Sequence, residues 1–524
     1  VRLPGHGTVS ALVVLALTVA AAVYLRGRVE GGEEALRIGL PVAVGALLAA
    51  SLPFAVEGHF GILGTGFNPD MSQHLLATDR LAHGAGSQLL HQGYPLGPHA
   101  IVVALNKGMG IGIVQGFSGL TIAAAVLAPL TALAAFADQP AVRRIAAALL
   151  VGLPYLVASY FAQGAFKETI QALFVLAFVL ALRESNRTWR DLPLRFVAAA
   201  ILAIGSVYTY SFPGLIWLGA IAVIWTIAEW ATRKFASPAG RRAMSLAGIV
   251  FLVGVLPELG RMIDFHSFET FDPNGPGLGN LFGQISPFTA FGIWPSGDFR
   301  LAPGNGAVPA LAYFAGAAFA ALLLLYGAIQ CLRRRETTIL AGALAVALVY
   351  AAARIGGTPY TSAKALEVAA PIATLVIVLP LLRRPVTLLY LAAAGVCSLL
   401  AFANAPVGPT SYSPALTGLR PLLAGSSTLF LAPQSLFADE HGARYIVWEL
   451  RGGRVCIGAE GDAGGKLPTG VRFFITGDSR ARPPFRDLTL SRHAGPYLLW
   501  ERRGPVRGAS DCPLISVRQA RQGP

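Results

Sequence analysis

The chain has 524 residues, 54% of them hydrophobic and only 13% charged, with a mean hydropathy of +0.59. A soluble domain carries about 25% charged residues, so too little polar surface is present to cover a water-soluble protein of this length. The net charge of +14 falls mostly in short loops between apolar runs, which points to membrane orientation and excludes nucleic acid as the partner. An outer-membrane barrel is excluded as well, because its strands alternate in polarity and these runs do not.

Apolar spans are predicted at 8–25, 37–56, 114–136, 143–162, 167–183, 195–210, 213–231, 244–262, 306–331, 337–354, 362–382 and 386–404, about twelve helices in all. The chain starts at Val1. The first run lacks a small-residue cleavage site and is expected to span the membrane. Basic residues gather in alternate loops, at Arg26 and Arg28, Arg143 and Arg144, Arg187 and Arg190, Arg233 and Lys234, Arg333 to Arg335, and Arg383 and Arg384. By the positive-inside rule these loops are cytoplasmic. The N-terminus, the loops 57–113 and 263–305 and the tail after 404 are then external.

The loop 57–113 is the most polar stretch between spans. It holds Asp70, Asp79, His59, His74, His83, His91 and His99 among many Gly and Pro. Within it MSQHLLATDRLAHG has helical spacing and suits a helix lying along the membrane surface. The second long loop carries Asp264, His266, Glu269, Asp272 and Asp298. After 404 the runs STLFLA, ARYIVWEL, VRFFITG and PYLLWERR are separated by Gly, Pro and Asp. They predict a small α/β or mostly-β domain over 405–524, behind a transmembrane domain over 1–404.

Asp70 follows Pro69 and precedes helix-like sequence. A carboxylate there can take a proton from a hydroxyl, bind a divalent cation, or simply cap the helix. His74 is one turn further on and shares its face. Tyr94 in HQGYPLGPHA suits a headgroup anchor, and His99 follows it. Lys167 and Glu168 are expected to pair with each other, and Glu258 with Arg261 at i,i+3. Arg354 ends a span on the outer side, and Lys364 and Glu367 lie just inside the next. Outward Arg and Lys run against the positive-inside tendency, and a phosphate ligand accounts for them. Cys331 and Cys397 read as packing residues. Cys456 and Cys512 are disulfide candidates if the tail is exported. Walker A, CxxC-pair, HExxH and strand-borne GxSxG sequences are absent, so no nucleotide-driven engine is encoded.

The arrangement, and most specifically GTGFNPDMSQHLLATDRLA followed by GYPLGPH, resembles the GT-C superfamily of membrane glycosyltransferases. The resemblance implies a polytopic α-helical fold with an extracytoplasmic C-terminal domain in the plasma membrane. It also implies a polyprenyl-phosphate-linked sugar donor and a glycan or lipid acceptor of the cell envelope. By position the family's first-loop acid falls on Asp70, with Arg354 and Lys364 the positions that match its phosphate-holding cations; His74, from the face it shares with Asp70, and His99 are further candidate substrate contacts read from the residues themselves. The sequence departs from the family in lacking an adjacent acidic pair and in placing the loop after the second span, so a divalent cation stays open. The Ala- and Arg-rich composition resembles that of a high-GC actinobacterium. The competing readings are a transporter or lipid flippase and a non-catalytic GT-C-like scaffold.

Overall fold

The computed structural model describes residues 32–68, 70–83, 88–137, 139–185, 192–230, 238–265, 277–306, 308–432, 442–459, 470–477 and 487–506, with scattered positions between 9 and 23. The expected span at 8–25 therefore lies largely outside the described residues, and His266, Glu269, Asp272 and Cys512 lie wholly outside them.

In chain order, the described helices of eight residues or more begin with α1 (Gly32–Glu57), α2 (Met71–Ala82), α3 (Gly97–Met109), α4 (Ile113–Ala132) and α5 (Ala141–Gly152). They continue with α6 (Tyr155–Ala162), α7 (Phe166–Ser185), α8 (Leu192–Tyr210), α9 (Gly214–Trp230) and α10 (Pro238–Val255). The last are α11 (Ala310–Arg333), α12 (Thr337–Gly356), α13 (Pro359–Leu381), α14 (Pro385–Ala403) and α15 (Gly442–Glu449). The chain divides into two compact units. One comprises residues 1–68 and 84–407, the other residues 69–83 and 408–524.

The protein is a polytopic helical membrane protein with a mixed β-sheet domain at its C-terminal end. Among the described residues, seven helices are long and apolar enough to cross a membrane, or eight if α5 and α6 form one span bent by 52°. Pro154 sits at that bend and removes a helix hydrogen bond there. Every predicted span from 37–56 onward coincides with a described helix or with this pair. The count falls below twelve partly because α7 is charged at both ends and the apolar parts of α8 and α9 are short.

Helix α13 is the axis of the first unit. Its most apolar window is 89% buried, against 11–44% for the other six spans. Small residues let neighbours come close, as membrane helix pairs require. A Cβ at Gly327 on α11 would run into the Val376 carbonyl oxygen of α13. Helix α13 also has a clean start: Thr358 accepts from the Thr361 backbone N–H at 3.1 Å, Thr361 accepts from the Thr358 N–H at 2.7 Å, and Pro359 takes the first turn. Charges on such a buried helix are costly and mark function.

The second unit holds β1 (Ser427–Ala432), β2 (Arg454–Ala459), β3 (Phe473–Gly477), β4 (Leu488–Ala494) and β5 (Tyr497–Arg502) in the order β2-β1-β3-β5-β4. Strand β1 runs parallel to β2 and β3, and β5 runs antiparallel to β3 and β4. Alternate residues line opposite faces. Phe430, Phe473, Ile475 and Leu499 pack with Leu416, Leu423 and Ile446, while Leu429, Leu431, Phe474 and Trp500 form a second apolar layer. The run ARYIVWEL, which reads like a strand, is the helix α15. Two parallel neighbours need a crossover between them, and the chain supplies it there.

Candidate functional site

In the first unit, α13 carries Lys364 and, one turn deeper, Glu367. Lys364 Nζ lies 2.8 Å from Glu168 Oε1 at the start of α7. The Tyr210 hydroxyl at the end of α8 donates to the same oxygen at 3.1 Å. Lys364 also sits 4.2 Å above the Tyr360 ring. Lys167, expected to pair with Glu168, adds to the electrostatic field on that carboxylate after Lys364. Adjacent helix positions point about 100° apart, so Glu168 turns to α13 while Lys167 donates to the Tyr94 hydroxyl and lies 4.2 Å from its ring centre. Glu258 and Arg261 do pair locally, at 3.4 Å, and Arg261 also donates to the Tyr94 carbonyl oxygen.

His99, in the first turn of α3, is fully buried among the rings of Tyr94, Phe117 and Phe166. Burial, with Lys167 and Arg261 adding to it, pushes the imidazole down to about 3, so the ring is neutral at physiological pH. The unfolded chain takes up a proton near pH 6.5 that the folded chain refuses. Stability is therefore expected to fall as pH drops from about 6.5 towards 3, by as much as several kcal/mol. Unfolding of His99→Phe followed over that range should show a flatter curve than the wild type.

The loop from 277 is seated on α13. Tyr360 N–H donates to the Gly277 carbonyl at 3.0 Å. Gly279 has φ +59°, and a Cβ there would stand 2.6 Å from the Tyr360 ring, so a glycine suits this point. Asn280 Nδ2 donates to the Phe67 carbonyl at 3.0 Å and to Gln163 Oε1 at 2.5 Å. Asp298, read from the sequence only as a loop acid, holds Arg300 in a two-pronged pair at 2.7 and 2.9 Å. That guanidinium lies against Phe67 and Phe282, 4.3 and 4.6 Å from their ring centres.

In the second unit, Asp70 takes the N-cap position of α2 with φ −65° and ψ −20°, and its side chain makes no capping hydrogen bond. His74 N–H donates to the Asp70 carbonyl at 3.2 Å, and the His74 side chain is buried. Asp79 lies 3.5 Å from Arg451 and 3.6 Å from His83, and Arg80 donates to the Gly453 carbonyl at 2.9 Å. These ties bind α2 to the α15–β2 turn. Arg354 is exposed in the last turn of α12. Cys456 is a disulfide cysteine, whereas Cys331 and Cys397 are free buried thiols. Among the described residues, no three His, Cys, Asp or Glu side chains converge to hold a metal ion.

Thus Lys364 and His99 belong to one unit and Asp70 and His74 to the other. The sequence alone reveals neither the Glu168 partner of Lys364 nor the part played by Tyr210. An ionisable residue inside a span is the one signal that singles out Glu367.

Neither a protein-family model nor a curated protein matches the chain. Solved structures do. ArnT from Cupriavidus metallidurans bound to undecaprenyl phosphate aligns with a TM-score of 0.50 and 11% identity, over 92% of this chain and 100% of that one. ArnT from the same organism in the apo state gives 0.52 and 14%, over 90% and 98%. The fold is ArnT-like. Both ArnT alignments span the membrane helices and the C-terminal sheet domain together, at an identity that carries the architecture alone.

Proposed function

We propose that the protein is a membrane glycosyltransferase that moves a sugar from a polyprenyl-phosphate donor to a cell-envelope acceptor on the outer face of the plasma membrane. The observation that carries this reading is the Lys364–Glu168 pair, ringed by Tyr210 and Tyr360, on the most buried span of an ArnT-like fold. ArnT, a GT-C polyprenyl-phosphate-sugar glycosyltransferase, was solved with undecaprenyl phosphate. Ammonium and guanidinium groups at the outer end of a span suit the phosphate of such a lipid.

In the proposed reaction the acceptor hydroxyl gives its proton to the Asp70 carboxylate, and the oxygen attacks the anomeric carbon. The bond from that carbon to the phosphate oxygen breaks, and its electron pair leaves with the lipid phosphate. Lys364, and Arg354 at the membrane surface, stabilise the charge that develops there. His74, one turn from Asp70, is the proposed acceptor contact. His99 is a neutral support for Tyr94 next to the donor. A disulfide between Cys456 and Cys512 fits an extracytoplasmic tail, and the composition fits an actinobacterial envelope enzyme.

The test is a deletion strain. Mass analysis of its lipid-linked sugars and envelope glycans should show an accumulated polyprenyl-phosphate sugar and a glycan lacking that residue. Purified protein in nanodiscs should bind undecaprenyl phosphate. An unchanged glycan profile, or donor accumulating only on the cytoplasmic leaflet as a transporter would cause, sinks the reading.

A further inference from the structure

Below Lys364 lies a set of polar atoms that the protein leaves unmet. Both carboxyl oxygens of Glu367, the Tyr160 hydroxyl, Gln163 Nε2 and Asn280 Oδ1 are buried without a hydrogen-bond partner among the described residues. Glu367 is 0% exposed, Tyr160 2% and Gln163 3%. They form one cluster. Tyr160 and Gln163 are one turn apart at the end of α6. The Tyr160 hydroxyl lies in the electrostatic field of Lys364, Glu168 and Glu367. Gln163 Oε1 takes its hydrogen bond from Asn280, whose loop rests on Tyr360.

Buried polar groups are normally satisfied, and orphans concentrated at one place call for an explanation. Their chemistry is selective. Gln163 Nε2 can only donate, Asn280 Oδ1 can only accept, and Tyr160 does either. A phosphate only accepts at neutral pH, so it would leave Asn280 and the Glu367 carboxylate unmet. A hydroxyl both donates and accepts and satisfies such a mixed set. Gly279 is exposed, Asn280 half-buried and Phe282 65% exposed, so the 277–282 loop brings Asn280 to the solvent side of the cluster.

The geometry points to Tyr160, Gln163, Asn280 and Glu367 as a hydroxyl-binding subsite for the sugar of the donor, with Glu367 the residue that selects among sugars. This rests on the proposed donor, and it divides the site into a cationic part for phosphate and a mixed donor–acceptor part for the pyranose or furanose ring. A site built to hydrogen-bond hydroxyls discriminates strongly against an analogue that lacks one.

The experiment uses the full chain in nanodiscs and three probes: undecaprenyl phosphate, an undecaprenyl-phosphate hexose and an undecaprenyl-phosphate pentose. The wild type should bind at least one sugar-bearing lipid about tenfold or more tighter than the bare lipid. Glu367→Leu and Gln163→Leu should bring that affinity back to the bare-lipid value and leave bare-lipid binding unchanged. Glu367→Gln, which replaces one accepting oxygen by a donating amide, should change the preference between hexose and pentose. Gln163→Leu, on another helix, carries the test if Glu367→Leu does not fold. Equal binding of all three lipids by the wild type, or equal weakening of all three in the variants, overturns the subsite while leaving the lipid reading standing. Failure of the wild type to bind any of them overturns both.

Discussion

Replacing Asp70 by Asn is expected to lower sugar transfer by about 10²–10⁴-fold, the range for loss of a general base, with the protein still folded. The two side chains have the same shape, and Asn suits a helix N-cap as well as Asp does. The Asp70 side chain makes no capping hydrogen bond that the change would remove. A structural carboxylate would show its loss as a lower unfolding temperature. A base shows it as a lower kcat with KM for the donor unchanged. Purified Asp70→Asn protein should therefore melt with the wild type, bind undecaprenyl phosphate normally and transfer almost nothing. Normal turnover removes Asp70 from the mechanism and leaves Glu168 as the next carboxylate to test.

The second large effect concerns the pair on α13 and α7. Lys364 and Glu168 side chains are 15% and 5% exposed, so neither charge is hydrated when its partner is gone. Breaking a buried pair from one side costs about 3–5 kcal/mol, mostly through the charge left behind. Lys364→Met should therefore destabilise the protein by that order and abolish undecaprenyl phosphate binding. Glu168→Gln should destabilise it too, while keeping the cation. The double variant is the informative one, because replacing both members removes the orphaned charge. Its melting temperature should recover most of the loss, whereas lipid binding should stay absent. If binding returns with stability, Lys364 serves the fold and another cation holds the phosphate.

Much of this architecture is legible in the residues. Apolar runs long enough to span predict every described membrane helix, because bilayer thickness sets their length directly. The strands STLFLA, VRFFITG and PYLLWERR lie where β-branched and aromatic runs predict them. ARYIVWEL has the same composition and becomes a helix, because the connection between two parallel strands outweighs local preference. Lys364 stands out as a cation at the wrong end of a span. Its partner does not, since Glu168 is on a distant helix and no local periodicity encodes the pair. The same holds for Asn280 and Gln163, and for Asp79 and Arg451. Each contact is set by how helices or loops meet, not by spacing along one element.

Helix α2 belongs to the same compact unit as the C-terminal sheet, although residues 84–407 are made between them. A ribosome adding about 5–20 residues per second takes on the order of tens of seconds to cross that interval. Throughout it, Asp79 and Arg80 wait for Arg451 and Gly453 to be synthesised. The C-terminal domain is thus completed last, around a piece released first, and excising 408–524 as a separate fragment would leave α15 without the helix it packs on. A soluble version should gain order only when a peptide covering 69–83 is supplied with it.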